Sequence, residues 1–112
     1  MRVIHVNEDI LLEKGLNEFE IESERDLELS FRAVEDCEVF VRVKSAKSLT
    51  VRTFTAQYQH VSFLFWNECT ESLNVREEHE VLKDADLNVA YGEVNGAATK
   101  RNTYVALRES GA

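Results

Sequence analysis

The stretch that decides the fold is residues 48–75, SLTVRTFTAQYQHVSFLFWNECTESLNV, which begins and ends on nearly the same phrase. Ser-Leu-Thr-Val occupies residues 48–51, Ser-Leu-Asn-Val residues 72–75 and Asp-Leu-Asn-Val residues 86–89. Between these phrases apolar and polar residues alternate with a period of two, which is typical of β-strands. The stretch therefore predicts a unit of about 24 residues built from two strands.

The same alternation extends over most of the chain. The first inward residue of each predicted strand recurs at an interval that averages about a dozen residues. These residues are Leu27, Cys37, Leu49, Val61, Leu73 and Leu87. Only residues 8–14 show any helical spacing, and Val, Thr, Phe and Tyr enrich the alternating segments. The chain is predicted to be all-β.

Two all-β architectures fit such a step. An antiparallel sandwich has turn signals every 8–12 residues, whereas a solenoid stacks parallel coils of two strands each. Tight hairpins favour Asn-Gly or Asp-Gly turns, and the chain has a single Asn-Gly, at residues 95–96, and no Asp-Gly. Most of its turns carry Ser, Glu and Asp instead, which favours the solenoid over the sandwich.

Composition limits the partners. The chain has 112 residues, enough for one domain, and 44% of them are apolar, enough for a core. Its net charge of −8 opposes binding to nucleic acid or to an anionic membrane. Since no signal peptide or long apolar run is present, we expect a soluble cytoplasmic protein in which Cys37 and Cys69 are free thiols.

Residues 77–112, EEHEVLKDADLNVAYGEVNGAATKRNTYVALRESGA, resemble the core domain of the SufB/SufD family of iron–sulfur cluster assembly proteins. The similar features are an acidic, His-containing strand that ends at Ala85, the LNVAYGEVNG strand, a polar TKRN turn and the closing VALRESGA. The resemblance extends loosely back to about residue 17. It implies a right-handed parallel β-helix that forms one domain over residues 1–112. It also implies that the chain is an N-terminal part of a longer helix, truncated at the C-terminus, with Gly111-Ala112 at a turn between layers.

The resemblance is to SufD-like members, because the sequence contains no cysteine-rich N-terminal segment. It implies a non-enzymatic scaffold that docks with a SufB-like subunit and a SufC-like ATPase. The functional cysteine and histidine of the family lie later in the helix, so no catalytic, cofactor-binding or metal-binding residue is assigned here. A β-helix with open ends often pairs, which predicts a homodimer of the isolated chain.

The run Val61–Trp66, VSFLFW, marks the candidate contact surface. Val61 and alternate residues after it share one face, while Leu64 and Trp66 point to the other. A strand that is apolar on both sides is usually covered on both sides. Leu64 and Trp66 are therefore predicted to contact a helix, a missing segment or a partner chain. The alternative function is an all-β binding module, for instance for carbohydrate, with Trp66 as its anchor.

Two further features carry competing hypotheses. The segment Arg76–Glu80, REEHE, is predicted to be a solvated edge where the strand bends, because burying an unpaired Glu77 would be costly. Weak metal binding by His79 with Glu77 is the alternative, and would make the chain a metalloenzyme. Cys37 is predicted to be a small core residue, and Cys69, in a polar turn, to be exposed.

Overall fold

The structure is a computed structural model that describes residues 1–71, 73–93 and 99–108. Within these ranges it consists of ten β-strands that follow one another along the chain. They are β1 (Arg2–Ile4), β2 (Glu8–Leu11), β3 (Gly15–Glu22), β4 (Leu27–Ala33), β5 (Cys37–Ser45), β6 (Ser48–Thr55), β7 (His60–Asn67), β8 (Leu73–Leu82), β9 (Asp86–Glu93) and β10 (Thr99–Arg108).

The strands form two parallel sheets. One sheet, the odd sheet, has the order β1-β3-β5-β7-β9, and the other, the even sheet, has the order β2-β4-β6-β8-β10. Consecutive strands thus lie in opposite sheets, and each strand pairs in parallel with the strand two positions later. This arrangement is a parallel β-solenoid with two strands per coil, which confirms the predicted fold.

No helix long and apolar enough to cross a lipid bilayer occurs in residues 1–71, 73–93 and 99–108.

Coil length increases along the odd sheet. Gly15 lies beside Cys37, 22 positions later. Cys37 lies beside Val61, 24 positions later, and Val61 lies beside Leu87, 26 positions later. The predicted repeat length of 24 residues is therefore the middle value of a rising series of coil lengths and not a constant period.

The even sheet lengthens more abruptly. Leu27 lies beside Leu49, 22 positions later, whereas Leu49 lies beside Val75, 26 positions later. The two similar phrases at residues 48–51 and 72–75 are consequently out of register by two positions. The main cause is the connection before β8, which is longer than the connection before β6.

Stacked turns continue the sheet hydrogen bonding between coils. Tyr58 and Asp84 both have left-handed backbone, with φ of 68° and 57°. The Tyr58 N–H donates to the Lys83 carbonyl at 3.3 Å, and the Asp86 N–H donates to the Gln59 carbonyl at 2.9 Å. Left-handed backbone is unusual outside glycine, and at Tyr58 a hydrogen bond to the next coil holds it.

At every second position of a strand the side chain points inward, and these side chains fill the interior. Of the six predicted inward positions, all are buried except Leu87, which is half-buried. A chain of ring contacts runs along the interior with centroid separations of 4.9 to 5.8 Å. Its members are Phe19, Phe31, Phe63, Phe65 and Tyr91. Such rings bury large apolar areas, so they hold consecutive coils together.

Several local predictions are wrong. The stretch 8–14 is not helical, because it contains β2 and the turn that follows it. The TKRN segment is not a turn but the start of β10. The expected turn at Gly111-Ala112 lies outside the described residues.

Replacing Phe31 by Ala tests the aromatic interior. Phe31 contacts both Phe19 and Phe63 and is 1% exposed, so its loss leaves a cavity between coils. We expect the free energy of unfolding to fall by about 3–5 kcal/mol, measured by urea denaturation with circular dichroism. The control is Phe54→Ala, which removes an outward ring stacked on Arg32 and should cost about 1 kcal/mol. Equal losses in the two variants would contradict this packing.

Candidate functional site

The outward face of the odd sheet carries the two residues predicted to contact a partner. Leu64 and Trp66 both lie on β7 and point away from the interior, as predicted. Leu64 is 38% exposed and Trp66 is half-buried. Nothing in the described structure covers them, so their role as contacts stays a prediction.

Leu64 belongs to a continuous apolar row. Parallel pairing sets Phe40 of β5 beside Leu64, and Leu64 beside Ala90 of β9. We call Phe40, Leu64 and Ala90 the apolar row. It runs across three strands of the odd sheet, along the axis of the solenoid. Leu16 of β3, 61% exposed, extends the same apolar surface in the neighbouring row.

Trp66 lies next to this row and covers Gly92. A Cβ built on Gly92 would lie 2.3 Å from the Trp66 ring, so the ring rests directly on the Gly92 backbone. Any larger residue at position 92 would push the ring outward. Glycine at this position therefore lets the ring lie against the β9 backbone, beside the apolar row.

The outward face of the even sheet is different, because charged side chains on it pair with one another. Arg52 Nε lies 2.8 Å from a Glu78 carboxylate oxygen and its guanidinium 3.8 Å from Glu28. Arg76 stacks on the Tyr104 ring at 4.8 Å. Such a ladder of exposed ion pairs is satisfied in water and gives little stability. The apolar row thus distinguishes the odd face from the even face.

A buried polar cluster lies inside the last coils of the even sheet. His79 Nε2 lies 2.9 Å from Glu77 Oε1, and His79 Nδ1 lies 2.7 Å from Thr53 Oγ1. The Thr103 hydroxyl donates to Glu77 Oε2 at 3.1 Å. Glu77 is 0% exposed and His79 is 4% exposed. We call Thr53, Glu77, His79 and Thr103 the buried polar cluster; three of them are buried, and Thr103 is exposed on β10.

Strand pairing explains this cluster. Thr53 of β6 is the register partner of His79 of β8, and Thr103 of β10 is the register partner of Glu77. If Glu77 is ionised, its carboxylate can only accept hydrogen bonds, and His79 Nε2 is then the donor. The predicted bend at residues 76–80 is wrong, because β8 runs straight through and its partners satisfy the buried carboxylate.

The geometry does not favour metal binding at His79. Both of its ring nitrogens are already engaged, by Glu77 and by Thr53. In the part of the chain that the structure describes, no three His, Cys, Asp or Glu side chains are placed to share a metal ion. The cluster instead joins three strands, β6, β8 and β10, through their interior side chains.

The two cysteines lie inside the solenoid. Cys37 is buried as predicted, but the predicted exposure of Cys69 is wrong, since its side chain is 5% exposed. The Cys69 N–H donates to the Asn67 side-chain carbonyl at 2.9 Å, which turns the chain inward after β7. Both thiols are free, and they are not paired with each other.

Burial changes the acidity of both thiols. It raises the pKa of the Cys37 thiol, and the neighbouring Asp36 carboxylate raises it further. Burial also raises the pKa of the Cys69 thiol, although backbone hydrogen bonds from Ala46 and Cys69 oppose this effect. A thiolate is the reactive form of cysteine, so both groups are poor nucleophiles in the folded protein.

The chain is a parallel β-solenoid, and the apolar row lies on the outward face of its odd sheet. No protein-family model, curated protein or solved structure matches it. The SufB/SufD resemblance, the partners and the cytoplasmic location accordingly stay predictions.

A double-mutant cycle tests the buried polar cluster. His79→Leu alone removes one hydrogen-bond partner of a fully buried Glu77, and we expect it to cost about 3–5 kcal/mol of unfolding free energy. Adding Glu77→Leu removes the carboxylate that has lost its contact with His79, so the double variant should lose less than the two single losses combined. Urea denaturation measures all three. Simple additivity would show that the two side chains act independently.

Thiol chemistry tests the burial of Cys69. We expect both cysteines of the folded protein to react with iodoacetamide about 100-fold or more slowly than in denaturant, because opening must precede reaction. Peptide mapping by mass spectrometry assigns each site. Fast labelling of Cys69 alone would contradict its burial.

The raised thiol pKa values also predict an alkaline loss of stability. As pH rises through the ordinary thiol value of 9.0, the unfolded chain loses these protons first. Unfolding is then favoured, and the urea midpoint should fall above that pH. A Cys37→Ala, Cys69→Ala double variant should show a smaller alkaline decrease.

Proposed function

We propose that this protein is a non-enzymatic scaffold subunit in iron–sulfur cluster assembly, which docks with a SufB-like subunit and a SufC-like ATPase. The observation that carries the docking role is the apolar row on the outward face of the odd sheet. A contiguous outward apolar surface, set beside a face of paired charges, marks an interaction site rather than scattered surface residues. Leu64 lies at the centre of that row.

Two considerations support the iron–sulfur context. The SufB/SufD resemblance implies a parallel β-helix, and the stacked two-strand coils agree with that architecture. Cys37 and Cys69 are both buried, so in this proposal the thiolates that hold the cluster come from the partner. The solenoid provides a rigid surface against which the partner and the ATPase are positioned.

Rigidity follows from the fold. Each central strand is bonded to a coil on either side, and the inward rings contact one another across coils. The outward side chains therefore keep fixed spacings set by the strand separation of about 4.8 Å. A docking surface that is ordered before binding loses less entropy on association.

Co-expression with a SufB-like and a SufC-like subunit from the same source tests the proposal. A tag on the SufB-like subunit should recover this chain in a defined stoichiometry, measured by size-exclusion chromatography with light scattering. Leu64→Asp places a charge in the apolar row and should reduce recovery about tenfold or more. The matched control is Thr50→Asp on the outward face of the even sheet, which should leave recovery unchanged.

Two outcomes contradict the proposal. If the unmodified chain forms no complex with either subunit, the role in this assembly system is wrong. If Leu64→Asp and Thr50→Asp behave alike while the complex forms, docking uses another surface. Saturable changes in Trp66 fluorescence with an oligosaccharide, in the absence of any complex, would instead support a carbohydrate-binding module.

A further inference from the structure

Charge is unevenly distributed around the apolar row. On one side Arg42 lies 3.0 Å from Glu68 and 3.8 Å from Glu20, and Lys44 lies 3.5 Å from Glu20. The carboxylates on that side are therefore neutralised by neighbours. Any partner that approaches from this side meets a surface whose charges are already paired.

Acidic side chains without ion-pair partners in the described part of the chain lie at the β3 end of the apolar row and along its opposite side. Glu18 is the register partner of Phe40, at the end of the apolar row, and Glu38 precedes Phe40 by two residues on the same outward face. Both side chains are exposed, and among the described residues neither has an ion-pair partner. We call Glu18 and Glu38 the acidic pair. Their charges face solvent directly beside apolar side chains.

More negative charge lies one row farther out. Asp36 accepts a hydrogen bond from the His60 N–H at 2.8 Å, and Asp86 lies 2.7 Å from His60 Nδ1. The whole margin of the apolar row beyond Glu38 therefore presents a negative potential, in a protein whose net charge is already −8.

The shape of this surface suits one kind of polypeptide. Leu16, Phe40, Leu64 and Ala90 line a shallow depression that crosses β3, β5, β7 and β9. Four strands at their usual separation span about 14 Å, the length of an α-helix of about ten residues. The outward faces of parallel sheets are commonly covered by helices, which pack an apolar stripe against the sheet.

We propose that the occupant of this surface is a cationic amphipathic helix of the partner protein. This inference rests on the proposed docking function and specifies the partner segment that it requires. Apolar side chains at helical spacing cover the apolar row. Lys or Arg on one flank of the helix pairs with Glu38, and Lys or Arg at the end of the helix over β3 pairs with Glu18. The apolar row supplies the affinity, and the acidic pair fixes orientation and excludes acidic helices.

The test uses two synthetic helical peptides of about 15 residues, with Leu at positions spaced by three and four and a flank of either Lys or Glu. Trp66 is the single tryptophan of the chain and lies beside the row, so its fluorescence reports binding. At about 150 mM salt, where long-range attraction is screened, the Lys peptide should bind the unmodified protein saturably and the Glu peptide should not.

Charge reversal identifies the contact. Glu38→Lys should weaken the Lys peptide about tenfold or more, and the double variant Glu18→Lys, Glu38→Lys should bind the Glu peptide better than the unmodified protein does. Glu24→Lys changes the net charge equally but lies in the turn between β3 and β4, so it should leave affinity within about threefold. Circular dichroism checks that every variant is folded.

Each result has a distinct meaning. If Glu24→Lys weakens binding as much as Glu38→Lys, peptide affinity depends on the net charge of the protein rather than on the acidic pair, and the inference is wrong. If the SufB-like complex forms and Glu38→Lys leaves it intact, the proposed function stands but the helix site is overturned. If the Lys peptide binds as expected while no such complex forms, the helix site stands and the iron–sulfur context is wrong.

Discussion

Parallel pairing of each strand with the strand one coil later is the constraint on which everything else depends. Because strands in a sheet are about 4.8 Å apart, each side chain has fixed neighbours in the coils before and after it. Inward side chains therefore form rows along the axis of the solenoid, and Glu77 shares its row with Val51 and Thr103. Outward side chains form rows in the same way, and Leu64 shares its row with Phe40 and Ala90. The buried polar cluster and the apolar row are two results of one geometry.

The period-two alternation was enough to predict the solenoid and its inward residues, because burial on one side of a strand imposes that pattern directly. It failed where strands are short. β1 and β2 have three and four residues and one buried residue each, Ile4 and Ile10, so no alternation is visible there. It also failed at Cys69, where local polarity suggested exposure but the Asn67 side chain turns the backbone inward.

Glu77 and His79 show why the interior of the site was harder to predict than its outer face. Their inward parity was readable, but their partners depend on register between distant strands. A uniform step equal to the offset between the repeated phrases would set His79 beside Thr55, whereas the longer coil sets it beside Thr53. Most of the added length lies in the connection before β8, and nothing in the repeated phrases signals it. Leu64 and Trp66 needed no such knowledge, because outward parity alone identifies them.

The lengthening of the coils along the odd sheet limits which strands can pair with one another during folding. In a solenoid of identical coils, a strand can pair one coil too early or too late with little penalty. Here each successive coil of the odd sheet has a greater circumference than the one before it. A strand of that sheet displaced by one coil would therefore meet turns of the wrong length. Because the coils differ in length, each of these strands fits at a single position in the stack.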